Sequence, residues 1–158
     1  MANTQTMVTS FLGELMTATH NFGASPIRAA STADTVKAAL YLASATINAA
    51  TTVYTVTGEV SGTNYSAGGV TVTNATAPTS TNASSTAGVG YWTPSASIVY
   101  TNVTLTTSFD CVLIYNSTQS NKAVSVHTFT AQTITAGTLT LTMPSNTTTT
   151  ALLRLATT

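Results

Sequence analysis

Apolar and polar positions alternate along most of the chain with a period of two, the spacing of a strand with one face turned to a core. From Val36 onward this pattern predicts strands over 36–42, 53–56, 70–72, 98–100, 103–105, 111–115, 123–129, 139–143 and 152–155. The run Cys111-Val112-Leu113-Ile114-Tyr115 is apolar at every position, which predicts a central strand covered on both faces. Before Val36 the period changes. Phe11 and Leu15 are four apart, as are Leu12 and Met16, so a helix over 9–17 would carry four apolar side chains along one face. Ser10 suits its N-cap and Glu14 its first turns, and Gly23 and Pro26 block continuation.

Turn-forming residues separate the strands at Gly58, Gly68-Gly69, Thr93-Pro94, Asn116-Ser117, Ala136-Gly137 and Pro144-Ser145-Asn146. The expected fold is therefore all-β: an antiparallel sandwich, jelly-roll or immunoglobulin-like, with a short N-terminal helix. Residues 1–30 are expected to form a helix or arm, and 31–158 a single sandwich domain. The stretch 75–90 has almost no large apolar residue and reads as a long polar surface loop. The four threonines 147–150 read as a turn or an extended edge. A helix as short as 9–17 needs a surface to lie on, either its own domain or a neighbouring subunit.

Composition narrows the function. Of 158 residues 43% are apolar, which excludes disorder driven by charge, yet only 5% are charged and the formal net charge is zero. Four Lys and Arg make no basic stripe, so nucleic acid is not an expected partner. No apolar run is long enough for a membrane-spanning helix, and residues 1–10 show no secretory signal. About a quarter of the chain is threonine, which is β-branched and supplies a polar outer face without charge. The single cysteine, Cys111, cannot form an internal disulfide and is expected in the core. Asn-X-Ser/Thr sequons begin at Asn64, Asn74, Asn82, Asn102, Asn116 and Asn146, about twice the number expected by chance in a chain this rich in Ser and Thr.

Little in the chain predicts catalysis. His20 and His127 lack metal-ligand spacing, and His127 is expected to face the surface or a loop. Asp110 and Cys111 are adjacent on a strand and so point to opposite faces. Glu14, Asp34, Glu59 and Asp110 make no close pair in sequence. The glycines around Glu59 read as turns, with the carboxylate accepting backbone N–H bonds or pairing with Lys37 or Lys122. No catalytic, cofactor-binding or metal-binding residue is expected. The candidates are for interaction instead: Phe11, Leu12, Leu15 and Met16 on the N-terminal segment, and the aromatic pair Tyr91 and Trp92. That pair suits a core, a protein interface or a sugar-stacking platform.

Several blocks taken in order carry a resemblance: His20-Asn21-Phe22; Asp34 to Tyr41; Tyr54 to Gly69, containing Thr57-Gly58-Glu59-Val60-Ser61-Gly62; Leu113-Ile114-Tyr115-Asn116; Asn121-Lys122-Ala123-Val124; and Leu152-Leu153-Arg154-Leu155. In order and spacing, over about residues 11–156, they resemble a family of small virion proteins of tailed bacteriophages. The resemblance implies a non-enzymatic structural part of a phage particle and carries no catalytic residue across. The expected role is an accessory subunit that decorates or cements the capsid. The alternatives are a neck, tail or fibre component contacting the host surface, or a carbohydrate-binding module. Expected partners are other virion proteins, further copies of the chain and, in the alternative roles, a host-surface glycan; membrane insertion is not expected.

Overall fold

The computed structural model describes residues 3–8, 11, 14–15, 19–20, 22, 33–73, 77–81 and 88–156. Eight strands make up its regular structure: β1 (Thr6–Met7), β2 (Val36–Leu42), β3 (Val70–Thr71), β4 (Thr79–Ser80), β5 (Val89–Trp92), β6 (Ile98–Asn116), β7 (Lys122–Leu141) and β8 (Leu153–Ala156). They form two antiparallel sheets, one of five strands in the order β1-β7-β6-β2-β3 and one of three in the order β4-β5-β8. The fold is all-β, as the period-two pattern predicts.

Its spine is the hairpin β6–β7, whose strands have 19 and 20 residues and turn at 117–121. At about 3.3 Å per residue each strand has a contour length of about 60 Å, but the hairpin bends back on its own sheet, since Tyr100 donates its hydroxyl to Ala38 O at 2.8 Å and Ala38 lies opposite Ile114. The sequence pattern breaks these strands into shorter pieces, and the breaks turn out to be bulges. Asn102 (φ 51°) and Ala136 (φ 47°) take left-handed backbone conformations inside the strands, and the register shifts between Tyr100 and Val103 and again between Val103 and Leu105. The turn expected at Ala136-Gly137 is thus an extra residue in β7, with the Ala136 N–H held by Thr104 Oγ1 at 3.0 Å.

The apolar run does mark the centre of the large sheet. Cys111 to Tyr115 lies between β2 and β7 and is buried throughout. Opposite residues in the register share a face, so Lys37, Ala39 and Tyr41 join Tyr115, Leu113 and Cys111, while Ala38 and Leu40 join Ile114 and Val112. Cys111 is 0% exposed, and burial, with Asp110 adding to it, pushes its thiol up to about 12.

Two expectations are corrected. No strand forms over 53–56, where Val53 makes only an isolated bridge to Lys122 and Val56 is 67% exposed. The polar stretch 75–90 is not all loop, because Thr79 and Ser80 of β4 pair with Tyr91 and Gly90 of β5. Of the helix expected over 9–17 only Phe11, Glu14 and Leu15 are described, and these three are helical; its other positions, Leu12 and Met16 among them, lie outside the described residues. What fixes this segment is docking. Val8, Phe11 and Phe22 are all in the core, so the described part of 1–30 is packed into the domain.

Candidate interaction site

The N-terminal segment and the small sheet meet in an apolar pocket of about 330 Å³, whose walls include Phe11, Leu15, Phe22, Tyr91, Trp92 and Leu153. Four of the six interaction candidates, Phe11, Leu15, Tyr91 and Trp92, therefore converge on one place although they are far apart in sequence. Leu12 and Met16 lie outside the described residues. The rings form a connected series. Phe11 meets His20 edge-on at 4.9 Å, His20 stacks on Phe22 at 5.6 Å, and Phe22 contacts Trp92 at 4.8 Å. Trp92 and Phe11 are each 2% exposed, so they form the floor of the pocket. A sugar platform needs an exposed ring face, which Trp92 does not offer.

Behind the rings is a polar cluster that sequence spacing does not reveal. Lys122 donates to Glu14 Oε1 at 2.6 Å, and Glu14 Oε2 meets His20 Nε2 at 2.7 Å. His20 Nδ1 meets Asn116 Nδ2 at 3.0 Å, and the same amide nitrogen donates to Asp34 Oδ2 at 2.8 Å. Gln119 Nε2 donates to Asp34 Oδ1 at 3.1 Å. Asn116 is 0% exposed, and its Oδ1 accepts the backbone N–H groups of Thr118 and Gln119 at 3.1 and 3.2 Å. All four hydrogen-bonding positions of this amide are filled, which fixes its orientation. Because Nδ2 must donate, His20 Nδ1 must accept, and the His20 proton sits on Nε2 facing Glu14. Burial lowers the pKa of His20 despite Glu14, in keeping with a neutral ring. Glu14 is held below its ordinary value by its hydrogen bonds to Lys122 and His20, which outweigh the opposing effect of burial. The cluster ties the N-terminal segment to the β6–β7 turn. Both His20 nitrogens are engaged, so the ring has no lone pair left to act as a base.

Glu59 organises a second cluster. Its carboxylate accepts the hydroxyls of Tyr54 and Tyr65 at 2.6 and 2.7 Å and the Gly68 N–H at 2.8 Å. The expected backbone bond is present, and the two tyrosines were not foreseen. Tyr115 donates to Gly68 O at 2.8 Å, and Tyr54 stacks on Tyr115 at 4.7 Å. Burial raises the hydroxyl pKa of Tyr54 and Tyr65 and the carboxylate adds to it, so both remain donors. Gly69 (φ 65°) lets this loop pass β2 closely, since a Cβ there would lie 1.7 Å from Ala38 O.

His127 is half-buried and faces the loop that follows β7. It lines a second pocket of about 500 Å³ beneath Met143, Pro144 and Leu152, where burial pushes its pKa down to about 4. Its Nε2 lies 2.9 Å from Ser125 Oγ, the reach of a nucleophile and its base. Ser125 is 1% exposed, however, which leaves a substrate no approach. Among the described residues no group of three His, Cys, Asp or Glu side chains could hold a metal ion, and no helix is long and apolar enough to cross a membrane.

No family model, curated protein or solved structure is found to match the chain.

Proposed function

We propose that the chain is a non-enzymatic structural subunit of a bacteriophage virion, an accessory subunit that decorates or cements the capsid. The observation that carries this reading is the distal half of the β6–β7 hairpin. There 98–109 and 128–141 contain no Asp, Glu, Lys or Arg, and among the described residues no strand pairs with the outer side of β7. A long, uncharged sheet edge is what a solitary protein avoids and an assembling one uses. The two sheets are read as the layers of a sandwich that holds this hairpin, with the N-terminal segment packed against the smaller one through Phe22 and Trp92. The phage setting comes from the resemblance of the ordered sequence blocks. The polar clusters support a non-enzymatic role, because their titratable groups are engaged in fastening the fold.

Copy number in purified particles tests the proposal. A capsid subunit is present at on the order of hundreds of copies, set by the symmetry of the shell. A few dozen copies would place the chain in the neck or tail, and its absence from particles would overturn a virion role.

A further inference from the structure

We infer that the outer edge of β7 is self-complementary and that two copies of the chain pair through it, antiparallel, about Thr140. The inference deepens the assembly reading and rests on it for its setting.

β1 pairs with β7 at Ser125 and Val126, and Val8 after it donates to Val124 O at 3.2 Å. It leaves the edge because Asn3 and Thr4 are held elsewhere: Asn3 Nδ2 donates to Leu42 O, while Asn3 Oδ1 and Ile47 O accept the N–H groups of Ile47 and Thr4. Beyond Thr128, whose hydroxyl donates to Gln5 Oε1 at 3.4 Å, β7 pairs with no strand on this side among the described residues as far as Leu141. Natural edges are blunted by charge, proline, brevity or bulges. No charged residue stands between Lys122 and Arg154, and the first proline after β7 begins is Pro144.

Bulges do interrupt the middle of the edge. The register against β6 shifts between Phe109 and Cys111 and again at the left-handed Ala136. Beyond them the strand is regular, with Leu139, Thr140 and Leu141 facing Tyr100, Val99 and Ile98 in unbroken order. This regular stretch and the residue after it read Thr138-Leu139-Thr140-Leu141-Thr142, the same in both directions. A two-fold axis at Thr140 therefore sets Leu139 opposite Leu141 of the second copy, Thr138 opposite Thr142, and Thr140 opposite itself. Each face of the joint matches like with like, and no like charges meet. The threonines lie on the exposed face, where Val99, opposite Thr140 on β6, is 42% exposed. The joined sheet would run through both copies without an edge at its centre.

The test is solution mass by sedimentation equilibrium, at on the order of 100 µM because a joint of this few residues is in the small, transient class. The native chain should have twice the monomer mass. Thr140→Lys places two ammonium groups on the axis and should give a monomer with an unchanged circular dichroism spectrum. Thr133→Lys, exposed but in the bulged middle of the edge, should leave the dimer intact. Mixing Thr140→Lys with Thr140→Glu should restore a two-fold mass as a heterodimer. Thr140→Cys, in a chain whose own Cys111 is buried and free, should yield a disulfide-linked dimer on air oxidation, and Thr133→Cys should not. A monomeric native chain, a Thr140→Lys variant that still dimerises, or no cross-link through position 140 would overturn the inference. Pairing with a neighbour's N-terminal segment instead would appear as a dimer lost on deleting residues 1–5 and indifferent to Thr140→Lys. Particle copy number bears on the assembly reading and solution mass on this one, so the two fail separately.

Discussion

Replacing Asn116 tests the polar cluster most sharply, because its amide uses both donors and both acceptor sites in a place of 0% exposure. Asn116→Ala leaves the His20 Nδ1 lone pair without a donor and removes one from Asp34 Oδ2. At about 1–3 kcal/mol for each buried group so affected, and somewhat less for the turn N–H groups that water reaches, the loss is about 3–5 kcal/mol. That is a large fraction of the total stability of a domain this size. Asn116→Asp has nearly the same shape and keeps the acceptor for the turn, but it sets a carboxylate oxygen against Asp34 and the His20 lone pair. A proton on Nδ1 relieves that clash, so the pKa of His20, lowered in the native protein, is raised above 6.5 in the variant. Stability from a raised histidine is fully present below its unfolded pKa and is lost as pH rises through the folded value. The cost of Asn116→Asp should therefore shrink between pH 8 and pH 5, by at most about 1.4 kcal/mol per pH unit, while that of Asn116→Ala stays level. Urea unfolding of the three proteins across this range measures both, and ¹⁵N shifts of the His20 ring report the tautomer. A cost for Asn116→Asp that is flat or grows as pH falls would refute the assignment of the His20 proton to Nε2.

Three further outcomes are expected. The native chain should lose stability as pH falls from 6.5 towards 4, because His127 stays neutral when folded until about pH 4 while the unfolded chain takes up the proton; this is worth up to about 3 kcal/mol. His127→Gln keeps a partner for Ser125 and should remove most of that slope in urea melts compared at pH 7 and pH 4.5. Glu59→Ala, which strands two tyrosine hydroxyls and one N–H, should cost about 3 kcal/mol, whereas Glu59→Gln should cost about 1, as read from thermal melts. Phe11→Ala should cost about 3–5 kcal/mol in the same assay, since the ring is 2% exposed and packs on His20 and Phe22; a cost below 1 would mean that the segment is an arm laid on the surface.

The all-β fold was legible because strand periodicity depends only on which face is wet. The central position of 111–115 was legible for the same reason, since a strand covered on both sides has no polar phase. Strand length was not legible. Asn102 and Ala136-Gly137 carry the signature of turns, and the left-handed backbone there is real, but each bends a continuing ladder. A bulge and a turn require the same local conformation, and only the partner strand decides between them. Strands β4 and β5 were missed because Thr79–Ser80 and Val89-Gly90 bury too little to show a period. The interaction candidates were found as separate pieces, since aromatic residues announce themselves locally. Their meeting in one pocket depends on a chain path that no spacing rule contains.

The eight charged residues of the formal count show why the polar clusters were illegible and what they leave behind. All four acids bond within the chain. Glu14 holds His20 and Lys122, Asp34 holds Asn116 and Gln119, Glu59 holds two tyrosines and Gly68, and Asp110 accepts from Asn3 at 2.5 Å. Each partner but one lies outside the acid's own stretch of chain or is a residue type with no charge to suggest pairing, so sequence adjacency pointed nowhere. Among the bases, Lys122 is bound to Glu14, and Arg154 donates from Nε to Thr148 O. The acids thus act as internal fasteners, and they leave the distal hairpin to threonine hydroxyls. Hydroxyls keep such a surface wet but do not repel a second copy of it. Association through the β7 edge is then governed by strand geometry: where the bulges lie, association is blocked, and where the ladder is regular, at Thr138 to Leu141, it is open.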